Sequence, residues 1–444
     1  MLLPLLTTVA LFSAPPAPAW DPATTWTVTV GVLSWKDKDL PDFSTYHRKD
    51  KELDQTLGER GVPEAQRVLL IDRQASASAV LAAIARQVTT APPGATFIFY
   101  FTGHGARDPA GELVLTTTDA VAEHLDRTGL HAADLVPLFA LRGPKDRVLL
   151  LSDACTSGDL AAIALSLSML GVPTASLTSA AAQSESTGNW TYSQTLIDAL
   201  RGAPLLDADG DGTITLAEVA GEAKEALKFR EGQPSGFTPA GLPLGFVLAR
   251  TAPWPDELAA LDKDGDKWHR GDWVLARNPA GVRAVGRVLG AERKPAARGK
   301  RGPPVVRLRL AFFGFADESL GWAREDRVQP ILFEDWPVGT HLKVEDDDEE
   351  YEAEVLAVAD DLHFVHYEGF GADEDEWVTP DQIIGPWAPD PDDPRNVIVN
   401  GEAAWVKGEV DGKVCVRYPG TDWTEDECVA PERVKPAHHA GKRR

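Results

Sequence analysis

Two short runs of almost unbroken apolar residues constrain this chain more than any other feature: ATFIFYF at 95–101 and RVLLLS at 147–152. Neither alternates with polar residues, so neither fits a strand with one wet face. Strands buried on both faces belong to a central, mostly parallel sheet covered by helices on either side. The flanking text agrees. TWTVTVGVL and RVLLI read as further strands, KDKELDQTLGERG as a helix stopping at a glycine, and SASAVLAAIARQVTT as a helix with a serine near its start. The apolar GLPLGFVLA ends the pattern. A three-layer α/β domain with a mostly parallel sheet is therefore expected over residues 25–252.

In an open α/β sheet the functional site lies at the carboxyl ends of the strands. The first apolar run leads into TGHGARD and the second into DACTSGD, so His104 and Cys155 arrive at one sheet edge. A thiol is a strong nucleophile only as thiolate, and a neighbouring imidazole can supply the base. Gly105 and Gly158 beside them leave room for a peptide backbone. A single cysteine is more often a small buried hydrophobe. Here its surroundings point to chemistry.

These residues carry a resemblance to the caspase/metacaspase clan of cysteine peptidases. The resembling features are the His-Gly pair of FTGHG, the run SDACTSGD, and the spacing between them, over roughly half the chain. The caspase signature reads Q-A-C-[RQG]-G with a histidine about 50 residues upstream. This chain has Asp153 where that signature has glutamine, as metacaspases do. The resemblance implies that Cys155 attacks the scissile carbonyl and His104 protonates the leaving amine. It assigns the oxyanion hole to the backbone N–H groups of Gly105 and Cys155. It also puts Asp153 in the S1 pocket, with Glu185 of AAAQSESTGNW as a second acid, which favours arginine or lysine at P1. A legumain-like preference for asparagine fits Asp153 less well. Residues 156–200 contain no lysine or arginine, so an Arg/Lys-specific enzyme has nothing to cut there, and a single-chain active form is expected. The basic loop RKPAARGKRG at 293–302 is the best self-cleavage candidate. His47, His124 and His131 lack such context and read as surface or satisfied polar residues.

A second motif follows the helix YSQTLIDALRG. In DADGDGTITLAE, Asp207, Asp209, Asp211, Thr213 (through its carbonyl), Thr215 and Glu218 occupy EF-hand positions 1, 3, 5, 7, 9 and 12, with Gly212 at the sharp turn. Two readings stand: a calcium loop, or an Asp/Gly turn capping a helix. EF-hands usually pair, and this loop is single. Many metacaspases are calcium-activated, which makes the coupling an expectation of the resemblance. No cofactor is expected for catalysis itself. Asp262, Asp264 and Asp266 form a weaker echo with no acid at the twelfth position and read as linker, within a stretch 253–267.

The formal net charge of -24 argues against a protein that coats nucleic acid. The first residues, MLLPLLTTVALFSAPPAPAW, read as a secretory signal (1–19) cleaved after Ala19. No later run reaches the roughly 20 apolar residues of a membrane span. A secreted or periplasmic protein is expected, and in an oxidising compartment Cys415 and Cys428 would pair, leaving Cys155 alone.

Beyond the linker, short strands rich in Trp, Tyr, Gly and acidic turns repeat loosely three times. VVRLRLAFFGFADESLGWAREDRV, LHFVHYEGFGADEDEWVTPDQI and KVCVRYPGTDWTEDECVAPERV share one plan. Units with five short strands read as small SH3-like barrels, placed at 268–332, 336–386 and 394–437, before a basic tail at 438–444. They resemble Tudor-like or chromo-barrel modules, in which an aromatic cage can hold a methylated ammonium. Tyr351, Tyr367, Phe370 and Trp377 are the candidate walls in the second, and Trp405, Tyr418 and Trp423 in the third; core filling is the alternative for each. The acidic turns favour a basic or cationic peptide partner over RNA.

Overall fold

A computed structural model of the chain describes residues 18–180, 190–295, 304–312, 319–331, 336–346, 349–359, 362–372, 374–378, 382–387, 395–418 and 426–437. The first half alternates β1 (Thr25–Gly31), α1 (Lys49–Glu59), β2 (Arg67–Ile71), α2 (Ala77–Thr90) and β3 (Thr96–Thr102). Three small elements follow as an antiparallel sheet, β4 (Gly105–Arg107), β5 (Leu113–Leu115) and β6 (Leu130–His131), with short helices α3 (Leu125–Thr128) and α4 (Leu135–Phe139). The domain continues through β7 (Arg147–Asp153), α5 (Leu160–Met169), β8 (Thr174–Thr178), α6 (Thr191–Arg201), β9 (Thr213–Thr215), α7 (Leu216–Glu231), β10 (Gly236–Thr238) and β11 (Val247–Arg250).

The six-stranded central sheet has the order β10-β8-β7-β3-β1-β2, with only β10 antiparallel. Both apolar runs lie in its middle. Because side chains alternate along a strand, Phe97, Phe99 and Phe101 join one core with residues of α2, α4 and α5. Ile98 and Tyr100 join the other with residues of α1, α6 and α7. Two covered faces explain why the runs show no polar alternation. Helix α2 starts where expected: the Ser76 hydroxyl accepts a hydrogen bond from the Ala79 N–H at 3.2 Å.

The N-terminal stretch is tied in as well. Trp20 is buried, its N–H donates to the Val247 carbonyl at 2.7 Å, and the Val247 N–H donates to Pro18 at 3.0 Å. No helix among the described residues is long and apolar enough to cross a membrane.

The C-terminal half forms three small antiparallel sheets. A one-turn helix, α8 (Asp256–Ala259), precedes β12 (Trp273–Arg277), β13 (Arg283–Lys294), β14 (Val305–Phe312) and β15 (Ser319–Arg324). This first sheet has four strands, and the expected fifth is reduced to a bridge between Leu275 and Gln329. The expected linker is shorter than 253–267. Asp262 pairs through its backbone with Ala291, and Arg293 reaches the carboxylates of Asp262 and Asp266, so these acids belong to the first sheet. The sheet packs on α7, with Trp273 stacked on Phe229 at 5.4 Å and Arg287 paired with Glu222.

The second module comprises β16 (His341–Asp346), β17 (Glu349–Ala359), β18 (Leu362–Tyr367), β19 (Glu376–Val378) and β20 (Ile383–Pro386). The third comprises β21 (Asn396–Val399), β22 (Glu402–Val410), β23 (Lys413–Arg417), β24 (Glu427–Val429) and β25 (Val434–Pro436). Each is a five-stranded meander whose last strand returns to pair with its first.

Candidate active site

Strands β3 and β7 are parallel neighbours in register, with Thr102 opposite Asp153. The ladder runs one step further, through the Gly103 N–H to the Asp153 carbonyl at 3.4 Å. His104 and Cys155 each lie two residues beyond the Thr102/Asp153 pair, on strands that run about 4.8 Å apart. Gly105 presses against the backbone of Cys155 so closely that a Cβ there would collide with the Cys155 carbonyl. Both candidate side chains are half-buried.

The His104 ring is fixed from several sides. It lies between Trp35, at 4.5 Å between centroids, and Phe43, at 4.2 Å. Its Nε2 is 2.8 Å from the Pro41 carbonyl. A carbonyl can only accept, so Nε2 carries the proton in the neutral ring and Nδ1 keeps its lone pair. The His104 carbonyl is held by the Thr116 N–H and hydroxyl, at 3.0 and 2.9 Å. The loop that supplies Trp35, Pro41 and Phe43 is itself tied by the Asp42 carboxylate, which accepts from the Trp35 N–H at 3.0 Å. Pro41 had no signal in the sequence, because a backbone carbonyl carries none.

Cys155 sits on a sharp strand-to-helix turn. Thr156 after it has φ of +51°, a left-handed conformation uncommon for a residue other than glycine. An ion pair between Arg107 and Asp159 joins the loop after His104 to the turn after Cys155.

Asp153 lies inside a buried polar network. The Ser193 hydroxyl donates to its carboxylate and is 2.6 Å from the Tyr100 hydroxyl. Ser179 also hydrogen-bonds the carboxylate, while its oxygen accepts from the Ala154 N–H at 3.1 Å. Burial pushes the Asp153 carboxyl up to about 7, against the lowering effect of the Ser193 hydroxyl, and the negative charge of Glu231 pushes the same way as burial. Sequence reasoning missed Glu231, which ends α7. The expected second acid, Glu185, lies outside the described residues.

At the other end of α7, the carboxylates of Asp207, Asp209 and Asp211 offer oxygens within 4.8 Å of one another. Gly212 takes the turn at φ +87°, and its N–H donates to Asp207 at 3.1 Å. The other Asp207 oxygen is buried without a hydrogen-bond partner among the described residues. Glu218 folds back into a capping box with Thr215 and accepts from the Ala208 N–H at 2.9 Å. Thr213 and Thr215 bound β9, which pairs with β11 rather than with a second loop of its own kind. The donor set is all oxygen, as calcium requires, so the residues fit such an ion. The twelfth-position carboxylate is also engaged in capping, which is the other reading of this sequence.

In the second module Tyr351, Tyr367 and Phe370 meet as three rings nearly perpendicular to one another, with centroids 5.5–6.4 Å apart. Phe370 is 50% exposed, so one wall of this box is open to water. Trp377 does not join them. It pairs with Phe364 at 5.5 Å, and alternation along β18 sets Phe364 on the face opposite Tyr367. In the third module Trp405 packs against Trp336 with Arg395 4.6 Å from each ring, and the Tyr418 hydroxyl donates to Glu427 at 3.0 Å. Trp423 lies outside the described residues. Cys415 and Cys428 face each other across β23 and β24 and are disulfide-bonded.

The other histidines of the α/β domain make only local contacts. His47 meets Tyr46 edge to face, His124 meets Arg127, and His131 bonds the Asp126 carbonyl at 3.1 Å.

No family model matches the chain, and no curated protein matches it. Among solved structures it is similar to a protein of Geobacter sulfurreducens, at 14% identity and a TM-score of 0.38, over 52% of this chain and 100% of that one. It is also similar to caspase-1 from Spodoptera frugiperda, at 10% identity and a TM-score of 0.35, over 55% of this chain and 98% of that one.

Proposed function

We propose that the chain is a cysteine endopeptidase of the caspase/metacaspase kind that cuts after arginine or lysine. One observation carries this reading: neighbouring parallel strands deliver His104 and Cys155 to one sheet edge, and the Pro41 carbonyl engages Nε2 of the ring. With Nε2–H held, Nδ1 takes the Cys155 thiol proton as Sγ adds to the scissile carbonyl carbon. The imidazolium then protonates the leaving amine as the C–N bond breaks. Water hydrolyses the thioester, returning a proton to the thiolate. The Gly105 and Cys155 N–H groups serve the tetrahedral oxyanion. Asp153 supplies the negative charge that a cationic P1 side chain requires.

Three accessory roles belong to this proposal. Asp207, Asp209, Asp211, the Thr213 carbonyl, Thr215 and Glu218 would hold calcium, whose charge neutralises the acids flanking the start of α7. The Tyr351/Tyr367/Phe370 box would take a methylated or otherwise cationic peptide. The chain acts outside the cytoplasm as a single polypeptide, its N-terminus created after Ala19; N-terminal sequencing of the purified active protein checks both, and an internal cut between Cys155 and Trp190 would refute the second.

The deciding experiment is turnover of Arg-, Lys-, Asp- and Asn-terminated fluorogenic peptides, with calcium and with chelator, by wild type and Cys155→Ala. Turnover of the Arg and Lys peptides, lost by at least about a thousandfold in Cys155→Ala, is the expected result. The exposed box in the second module favours one other reading, a binding protein on an inactive caspase-like scaffold. No turnover of any peptide, with a Cys155 that alkylates no faster than an ordinary thiol, would establish that alternative.

A further inference from the structure

The outer face of the second module gathers side chains that neither the candidate active site nor the aromatic box uses. On β16 and β17, Leu342, Val344, Ala353 and Val355 belong to the buried core of the module. Alternation along the strands therefore turns His341, Glu352 and Glu354 outwards together. The register completes the group. His341 lies opposite Glu354 on the neighbouring strand, and the Glu368 N–H, just past β18, donates to the Glu352 carbonyl at 2.9 Å. Nδ1 of His341 is 3.0 Å from the Glu352 carboxylate and 3.8 Å from that of Glu368. His341, Glu354 and Glu368 each offer one ligand atom, and these atoms all lie within 4.8 Å of one another.

Two further observations distinguish this cluster from an ordinary solvated face. The first is its chemistry. An imidazole among carboxylates is a mixed nitrogen and oxygen donor set, which suits zinc and its neighbours, whereas calcium takes oxygen ligands. The second is that the module plan does not need these acids. Glu354 pairs across the sheet with His366, and the equivalent pair of the third module is Trp405 opposite Arg417. Ala403, two residues before Trp405, stands where the second module has Glu352. The same meander closes there without either carboxylate. Lys343, the next outward residue of β16, is engaged by Glu350 at 2.6 Å. His366 has Nδ1 2.6 Å from Asp375 and stands beside the group of three, not in it.

We propose that His341, Glu354 and Glu368 form a site for a divalent transition-metal ion, of the zinc class, on the outer face of the second module. Three protein ligands leave a position for water, as in open zinc sites. Such an ion ties β16, β17 and the end of β18 together. The Phe370 N–H closes the turn after Glu368 onto the Tyr367 carbonyl at 3.1 Å, so the ion also steadies the open wall of the aromatic box.

The test is calorimetric titration of zinc chloride into the full chain carrying Cys155→Ala, so that no thiol beside His104 can take the ion. His438 and His439 near the C-terminus are replaced by alanine in every protein titrated, and excess calcium competes at all-oxygen sites. About one equivalent of zinc is expected to bind, and His341→Gln and Glu354→Gln should each weaken it at least about tenfold. His269→Gln removes an exposed imidazole paired with Asp272 in the first module and should leave the affinity unchanged. No zinc binding would overturn the site and leave the acids as partners of a protonated His341. An affinity that neither His341→Gln nor Glu354→Gln changes, in variants with native circular dichroism, would overturn it too, as would an equal loss in His269→Gln.

Discussion

Helix α7 joins two acidic regions of opposite character. At its end, Asp153 is enclosed among Ser193, Ser179 and Tyr100, and burial pushes its carboxyl up to about 7. At its start, Asp211 stands in water, and hydrogen bonds from the Thr213 side chain and backbone hold its carboxyl below the ordinary range. The residue type is the same; solvent access sets the difference. The enclosed acid gains most of its charge only when a cation arrives or the pH rises past 7. Asp211 is therefore charged throughout the neutral range and can meet a cation without titrating. Peptide recognition at one end should therefore depend on pH between 5 and 7, and ion binding at the other should not.

The sharpest way to break this contrast is Asp153→Asn. It keeps the shape of the side chain but removes the charge that the proposed P1 recognition requires. We expect kcat/KM for arginine peptides to fall by at least about a hundredfold, roughly 3 kcal/mol of transition-state stabilisation. Alkylation of Cys155 by neutral iodoacetamide should be little changed. Loss of both would mean that Asp153 organises the nucleophile and has no special part in recognising the substrate.

The pH dependence follows with its sign. In the free protein Asp153 is mostly protonated below about pH 7, so on the proposed function kcat/KM for basic peptides should climb about tenfold per pH unit on the acid side and level off above 7. Asp153→Asn should remove that limb. Stability runs the other way. The folded carboxyl holds its proton up to about 7, whereas the unfolded one releases it near 3.8. Between those values the folded state binds more protons, so stability falls as pH rises, by on the order of 4 kcal/mol in all, and is flat above 7. Urea unfolding at pH 4.5 and 7.5 measures the slope, which should be much smaller in Asp153→Asn.

How far the sequence reveals these arrangements depends on how local each one is. The apolar runs disclose the central sheet because burial on both faces forbids polar alternation. The acidic loop is legible because its six positions fall within twelve residues. Pro41 and Glu231 are not, since their partners lie 63 and 78 residues away and neither belongs to a motif. Asp262 and Asp266 resemble a linker until Arg293, far along the chain, is seen to pair with them.

The second and third modules show the same limit. Their contacts repeat at a constant offset of 51 residues: His366–Asp375 becomes Arg417–Asp426, and Tyr367–Glu376 becomes Tyr418–Glu427. At that offset the Phe364/Trp377 pair coincides with Cys415/Cys428, so a disulfide in one module stands where two rings pack in the other. The offset also puts Glu402 where the second module has Tyr351. Among the described residues the third module thus has a carboxylate in place of one ring of the box, which a count of its aromatic residues does not reveal.

Calcium offers the smallest effect and the finest test of the contrast. The Asp207, Asp209 and Asp211 carboxylates already approach one another, and neutralising their repulsion should stabilise the loop and the first turn of α7. At a calcium concentration ten times the Kd, linkage gives about 1.4 kcal/mol, or a Tm increase of roughly 3–5 °C. Glu218→Gln should abolish most of that shift, and it should also lower the calcium-free Tm slightly, because Glu218 accepts from Ala208 and Thr215 in the capping box. The two readings of the loop separate on this variant. A calcium-dependent increase present in wild type and absent in Glu218→Gln marks an ion site. A lower Tm in the variant with no calcium response in either protein marks a helix cap alone, and then any calcium dependence of turnover must arise elsewhere in the chain.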